Sequence, residues 1–296
     1  MKVFLTGATG FVGSAIAREL LGSGHEVVGL ARNDANADLL ATAGVKAHKG
    51  ELTDTAALVA GARACDGVIH TAFIHDFSKF EENVEIDRRA VEAMAAALEG
   101  SDKPFVITSG TALLSFHAPG QLATEEGTPP PTAPRAASEA IVMAASGRGV
   151  RGSVVRLSPS THGAGDHGFA PRLIDIARSK GFAAYIGEGA NRWPAVHRFD
   201  AARLFRLALE KAAPGSRLHG AAEEGVPMRA IAETIGVGLG VPVRSLTADE
   251  AQAHFEWFAR FAAIDNPTSS AITRKSLGWR PEGPDLLTDM KANYFG

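Results

Sequence analysis

Cysteine is almost absent from this 296-residue chain, with Cys65 the only one. A single thiol excludes an internal disulfide and a cysteine-rich zinc site, and such usage fits a reducing, cytoplasmic setting. Tyrosine is nearly as scarce, at Tyr185 and Tyr294 alone. No run approaches the roughly 18 uncharged apolar residues of a membrane helix. The apolar opening at residues 1–5 meets Thr6-Gly7 too soon for a secretory leader. Strong charge of either sign is missing too: the formal net charge of −3 gives no reason to expect nucleic acid or an anionic membrane as partner. No internal repeat interrupts the chain. What is present is an ordinary globular balance, 45% apolar and 21% charged, long enough for one large or two closely joined units. The expectation is a soluble monomer or homodimer acting on a small molecule.

Short apolar runs alternate with helical patterns through the first half, which points to an α/β fold with a doubly wound parallel sheet. Strands are expected at residues 3–5, 26–31, 46–49, 67–71, 104–108 and 152–157. Helices are expected at 11–20, 39–43, 55–63 (with Asp54 as N-cap) and 84–98. The segment Glu125-Glu126-Gly127-Thr128-Pro129-Pro130-Pro131 must be loop, since three prolines continue neither helix nor central strand. Later helices are expected at 201–211, 229–239 and 249–262. This divides the chain into a dinucleotide-binding Rossmann unit, 1–160 with 193–215 returning to it, and a smaller substrate-binding cap, 161–192 and 216–296.

Between the first strand and first helix stands Thr6-Gly7-Ala8-Thr9-Gly10-Phe11-Val12-Gly13. Glycines there allow a tight turn, close backbone approach to a pyrophosphate and close helix–strand packing. The helix N-terminus adds free N–H groups and a partial positive charge. The end of the second strand then selects the cofactor. An acidic residue would bind the ribose hydroxyls of NAD, but Arg32 occupies that place and suits the 2′-phosphate of NADP. An arginine–phosphate contact contributes about 1.5–3 kcal/mol, roughly ten- to a hundredfold in affinity. NADP(H) is therefore expected, with NAD(H) as the other reading.

These residues resemble the short-chain dehydrogenase/reductase superfamily, in its extended and atypical branches, which include epimerases and dehydratases. Residues 6–13 look like its T-G-x-x-G-x-x-G. Glu51-Leu52 stands where an Asp-Leu pair contacts adenine. Asp66-Gly67-Val68-Ile69-His70-Thr71-Ala72 is similar to its D-x-V-I-H-x-A. Val155-Arg156-Leu157-Ser158-Pro159 with His162-Gly163 resembles the V-R-P-x-x-x-Y-G stretch near the nicotinamide. Trp193-Pro194-Ala195-Val196-His197-Arg198-Phe199-Asp200 is similar to a V-H-V-D-D segment returning to the core. The resemblance implies a cofactor on Gly7, Thr9, Gly10, Phe11, Val12, Arg32, Glu51, Leu52, Thr71, Ala72, Phe73, Thr108, Leu157, Ser158 and Pro159.

The departure lies in the chemistry. Members of that superfamily usually carry Y-x-x-x-K, the tyrosine donating the proton and the lysine lowering its pKa. Here the expected place reads Arg135-Ala136-Ala137-Ser138-Glu139, and the usual serine or threonine falls near Gly110. Ser109 or Thr111 then stands in for it. Arg135 either stabilises an oxyanion or binds an acidic substrate, or else pairs with Glu139 on one helix face. His162, placed near the nicotinamide by the resemblance, is the first substitute acid, against an ordinary structural histidine. Tyr185, Phe255, Trp257, Phe258 and Phe261 read as cap packing. His162 with His167, and His70 with His75, lack ligand companions, so no metal is expected. Three functions follow: an NADP(H)-dependent oxidoreductase of a small carbonyl or alcohol-type substrate with a non-standard proton donor, a non-catalytic NADP-binding sensor, or, less favoured, a nucleotide-sugar epimerase or dehydratase.

Overall fold

The computed structural model describes residues 1–115 and 120–295, with Phe77 by its backbone alone. Strand β1 (Lys2–Thr6) is an apolar run and is buried almost throughout. It leads into α1 (Phe11–Gly22), β2 (Glu26–Ala31), α2 (Asp34–Thr42), β3 (Lys46–Lys49), α3 (Thr55–Arg63) and β4 (Gly67–His70). Asn33 and Asp54 cap the second and third helices, accepting from Asn36 N at 2.8 Å and Ala57 N at 2.9 Å. The first of these caps starts α2 five residues before the expected 39, because an Asn side chain satisfies N–H groups that no apolar periodicity marks.

Then follow α4 (Phe80–Leu98), β5 (Pro104–Gly110), α5 (Ala112–Ser115), α6 (Ala136–Ser146), β6 (Arg151–Leu157), β7 (Ser160–His162) and α7 (Phe169–Lys180). The remainder comprises β8 (Ala183–Ile186), β9 (Arg192–His197), α8 (Arg198–Lys211), β10 (Ser216–Gly220), β11 (Glu223–Pro227), α9 (Met228–Leu239) and β12 (Val243–Leu246). It ends with α10 (Ala248–Phe255), α11 (Ala259–Ala262), α12 (Ala271–Leu277) and α13 (Leu286–Asn293).

The main sheet runs β10-β6-β5-β4-β1-β2-β3, and every pairing is parallel. Strand order reverses between β1 and β4, the place where such sheets open a ligand crevice at their carboxyl ends. Helices α1 and α8 share one hydrophobic cluster with Val3, Leu5, Ile69, Val106 and Val155. Helices α3, α4 and α6 share the opposite one with Phe4, Val68, Phe105, Ile107 and Val154. The smaller lobe has its own core around Trp193, Phe255, Phe258 and Met290, with short sheets β11-β9-β7 and β12-β8. No helix among the described residues is long and apolar enough to cross a membrane.

Three expected boundaries move. Residues 216–220, assigned to the cap, form the edge strand beside β6. Their Ser-Arg-Leu-His-Gly sequence shows no apolar run, yet Leu218, His219 and Gly220 are buried by the neighbours. Conversely β9, at residues 192–197, joins the small sheet rather than the large one, and only α8 returns to the main sheet. The expected helix 249–262 is broken at Glu256, whose φ of 55° no α-helix accommodates.

Candidate functional site

The turn after β1 is shaped by two glycines. Gly7 has φ 74°, and a Cβ there would stand 2.8 Å from Ala72 N and Thr71 Oγ1. A Cβ on Gly13 would come within 2.0 Å of Gly7 O. Only bare backbone lets α1 sit this close to the turn. The turn closes by Gly10 N donating to Gly7 O at 2.9 Å. The N-terminus of α1 has no side-chain cap and no acidic residue in its first turn, so its leading N–H groups are available to an anion. Asn36 on α2 donates to Thr9 Oγ1 at 3.2 Å and ties the turn to the end of β2.

Arg32 follows β2, exposed, and among the described residues makes no hydrogen bond or ion pair. Asp34 turns to Lys49 at 2.8 Å. Gly50 N donates to Ala31 O at 3.0 Å, which brings Glu51 and Leu52 beside the same strand end. A turn with no Cβ in the way and an open helix end suit the pyrophosphate of a dinucleotide, and Arg32 beyond the second strand has no partner among the described residues.

From the turn a polar chain runs through the crevice floor. Thr71 Oγ1 donates to Thr6 O at 2.8 Å, and Thr6 Oγ1 meets His70 Nδ1 at 2.7 Å. His70 Nε2 meets Asp87 Oδ1 at 3.3 Å. Ser138 Oγ donates to Asp87 Oδ2 at 2.7 Å, while Arg135 Nη2 and Nε donate to the same carboxylate at 3.0 and 3.3 Å. Burial alone would favour the protonated form of Asp87. The Arg135 charge and the His70 and Ser138 hydrogen bonds nevertheless hold its carboxyl well below the usual range. Taking Asp87 as a carboxylate, the network assigns Nε2–H of His70 as donor to it, with Nδ1 accepting from Thr6.

Arg135 Nη2 also donates to Thr108 O at 2.6 Å, and its guanidinium lies 4.8 Å from the Phe73 ring centre. The expected Arg135–Glu139 pair is therefore not formed. Arg135 has φ 64°, in the left-handed region, and its side chain turns to α4. Glu139, buried, faces β6 instead, accepting from Arg156 Nη2 at 2.6 Å and Nε at 3.0 Å. Fully buried Arg156 also donates to Gly127 O at 2.9 Å and approaches His219 Nε2 at 3.4 Å. His219 Nδ1–H faces Ser269 O at 2.9 Å. Nearby, Glu125 Oε1 accepts from Thr273 N and Oγ1, both at 2.7 Å.

Burial first, then the Arg156 charge, pulls His219 down to about 4. Its folded value lies below the ordinary 6.5, so the unfolded chain takes up the proton first. Stability is expected to be full above about pH 6.5 and to decline towards pH 4, by at most about 1.4 kcal/mol per unit. Denaturant midpoints of wild type and His219→Gln across that window check this: the slope should flatten in the variant.

Other expected site residues are placed as follows. Thr111, buried, accepts from Asn266 Nδ2 at 2.9 Å. Ser109 shares the α6-facing side of β5 with Phe105 and Ile107 by strand alternation, and its buried hydroxyl has no partner among the described residues. Ser158 turns away to Gly220 O at 2.8 Å, while Leu157 packs on the α1–α8 core. His162 is buried, 2.8 Å from Asp289 Oδ2 and 5.4 Å between ring centres from His197. Its neighbour Tyr294 donates to Asp166 Oδ2 at 2.7 Å. Phe11 lies under the Arg198 guanidinium at 4.7 Å and near the His167 ring at 5.8 Å. Phe255 and Phe258 are buried cap packing, whereas Trp257 is half exposed beneath Arg172.

Asp87, Ser138 and Glu125 carry no motif, so sequence reasoning passed over them. The one available signal was that a cation at the tyrosine place calls for a counter-ion.

The family model described as "NAD dependent epimerase/dehydratase family" matches residues 3–219. An uncharacterized protein of Schizosaccharomyces pombe is 49% identical over 296 residues, covering 100% of both chains. A 2-alkyl-3-oxoalkanoate reductase of Stenotrophomonas maltophilia is 27% identical over 82% of this chain and 77% of its own. Among solved structures, a dTDP-glucose 4,6-dehydratase from Streptomyces venezuelae with NAD and TYD bound superposes with a TM-score of 0.78 at 20% identity, covering 99% of this chain and 95% of that one. At that identity the likeness concerns the fold.

Proposed function

The chain belongs to the NAD-dependent epimerase/dehydratase family, within the extended short-chain dehydrogenases/reductases, and from that premise we propose that it is an NADP(H)-dependent oxidoreductase of a small carbonyl or alcohol-type substrate. The observation that supports it most is the Cβ-free turn and uncapped α1 terminus beside Arg32, which has no partner among the described residues. Backbone groups of Gly7, Thr9, Gly10, Phe11 and Val12 would hold the pyrophosphate, and Arg32 the 2′-phosphate. Glu51 and Leu52 would face the adenine. Thr71, Ala72, Phe73 and Thr108, with the 157–159 segment, would line the path to the nicotinamide. A bound nicotinamide supplies or accepts the hydride. Named reductases among the relatives favour this chemistry.

Arg135 is a guanidinium and stays protonated, so it cannot act as the base that an epimerase or dehydratase draws from tyrosine. Its role is to orient or polarise a substrate oxygen. Arg32→Ala is expected to weaken NADPH binding about ten- to a hundredfold while leaving NADH nearly unchanged. Titration calorimetry with both cofactors checks it, and equal wild-type affinities would refute the NADP assignment. Oxidation of NADPH across a carbonyl panel tests the reaction. A sensor is the second reading, favoured by the absence of the tyrosine and lysine at 135 and 139; tight NADPH binding with no turnover would select it.

A further inference from the structure

We propose that Arg135 forms an oxyanion-binding site and that the acceptors of this chain are conjugated carbonyls, enones or quinones, rather than saturated ketones. The inference rests on the oxidoreductase reading above and names its substrate class.

The guanidinium is held along one edge only. Nε and Nη2 are taken by Asp87 and Thr108 O, whereas the two N–H groups of Nη1 have no partner among the described residues. The side chain keeps 16% exposure while Asp87 behind it keeps 1%, so the unused donors lie on its open side. Phe73, directly after the Thr71-Ala72 pair that abuts the Gly7 turn, covers one face. The polar chain through Asp87, His70 and Thr6 sets the group at the carboxyl ends of β1, β4 and β5. A left-handed backbone at a non-glycine residue costs about 1–2 kcal/mol, and such strain gathers at functional positions. Here it aims Arg135 across the helix N-terminus.

A guanidinium offers hydrogen bonds but no proton. Hydride addition to a saturated ketone leaves a localised alkoxide, which a general acid must quench at once. In an enone the hydride forms a C–H bond at the β-carbon, the π electrons move to oxygen, and an enolate results. A quinone similarly gives the hydroquinone monoanion. In both cases reduced nicotinamide is the two-electron donor, the substrate oxygen carries the negative charge, and water delivers the remaining proton later. Two fixed N–H donors that carry no transferable proton suit this delocalised oxyanion. Among the described residues His75, on the loop after β4, is a further titratable group that feels the Arg135 charge. Partial desolvation and then the Arg135 charge lower its proton affinity. Asp87 and His70 lie behind and are engaged with each other.

The first test needs no turnover. 4-Nitrophenol is titrated spectroscopically against the protein, with and without NADP+. The expected result is binding as phenolate, its titration moved down by about one pH unit, with the shift lost in Arg135→Met and partly kept in Arg135→Lys. The lysine variant retains a charge for Asp87 and guards against loss of fold. In the second test, 2-cyclohexenone and a p-benzoquinone are compared with cyclohexanone. The conjugated acceptors are expected to show kcat/KM at least about 100-fold higher, the scale of a missing general acid, with no acid limb between about pH 6 and 9. Equal reduction of cyclohexanone, loss of it in His75→Gln, or a phenol shift independent of Arg135 would overturn the inference alone. Failure of NADPH to bind at all would overturn the oxidoreductase reading and this one with it.

Discussion

Replacing Glu139 with alanine is expected to destabilise the protein by about 3–5 kcal/mol, because it strands a buried arginine. Arg156 is fully buried, and Glu139 is its only carboxylate partner among the described residues. What remains after the substitution is a backbone carbonyl and a neutral His219 ring, neither of which offsets an interior charge. Denaturant unfolding followed by circular dichroism measures the loss. Glu139→Gln should fall between, keeping an acceptor without the charge. Replacing the pair together, Glu139→Leu with Arg156→Met, should recover most of the stability, since the desolvation cost of both ions disappears. The exposed Arg89–Glu85 pair is the control, where Arg89→Ala should cost less than about 1 kcal/mol. A cost that small at Glu139 would mean water or another carboxylate reaches Arg156.

The cofactor half of this architecture was legible because it is written in backbone requirements. Gly7 and Gly13 are demanded by clashes with Ala72 and Gly7 O, and such demands show in sequence as glycines at set spacings. The succession of strands β1 to β6 along the chain was legible from short apolar runs set between helical patterns. Strand β10 was not, because its burial comes from β6 and α12 rather than from its own residues. The altered charges at 135 and 139 were visible, but their partners were not. Asp87 and Arg156 lie far off in sequence, and only the packing of α4, α6 and β6 shows that each charge is answered by a separate element. The helical spacing of Arg135 and Glu139 suggested a mutual pair. The left-handed Arg135 backbone removes Arg135 from that helix face, a conformation that no residue type announces except glycine.

Asp87→Ala is expected to cost a further loss of about 3–5 kcal/mol, and its consequences should reach the cofactor turn. Three side chains lose an acceptor at once: Arg135, Ser138 and His70. The hydrogen-bonded chain from His70 to Thr6 then has no anion to fix the imidazole tautomer, so Thr6 and the Gly7 turn beside it lose their backing. Weaker NADPH binding should accompany the lower stability, and Arg135→Met with Asp87→Leu should restore stability more than cofactor affinity. The pH dependence separates this pair from the His219 cluster. The folded Asp87 carboxyl is depressed below its ordinary 3.8, so its contribution is complete above about pH 4 and is lost only as pH falls through the lower folded value. The Asp87→Ala deficit should therefore be level from about pH 5 to 8, while the His219-dependent term already slopes in the lower part of that range. A sloping Asp87 deficit there would show that the contribution is not that of a carboxylate ionised throughout this range.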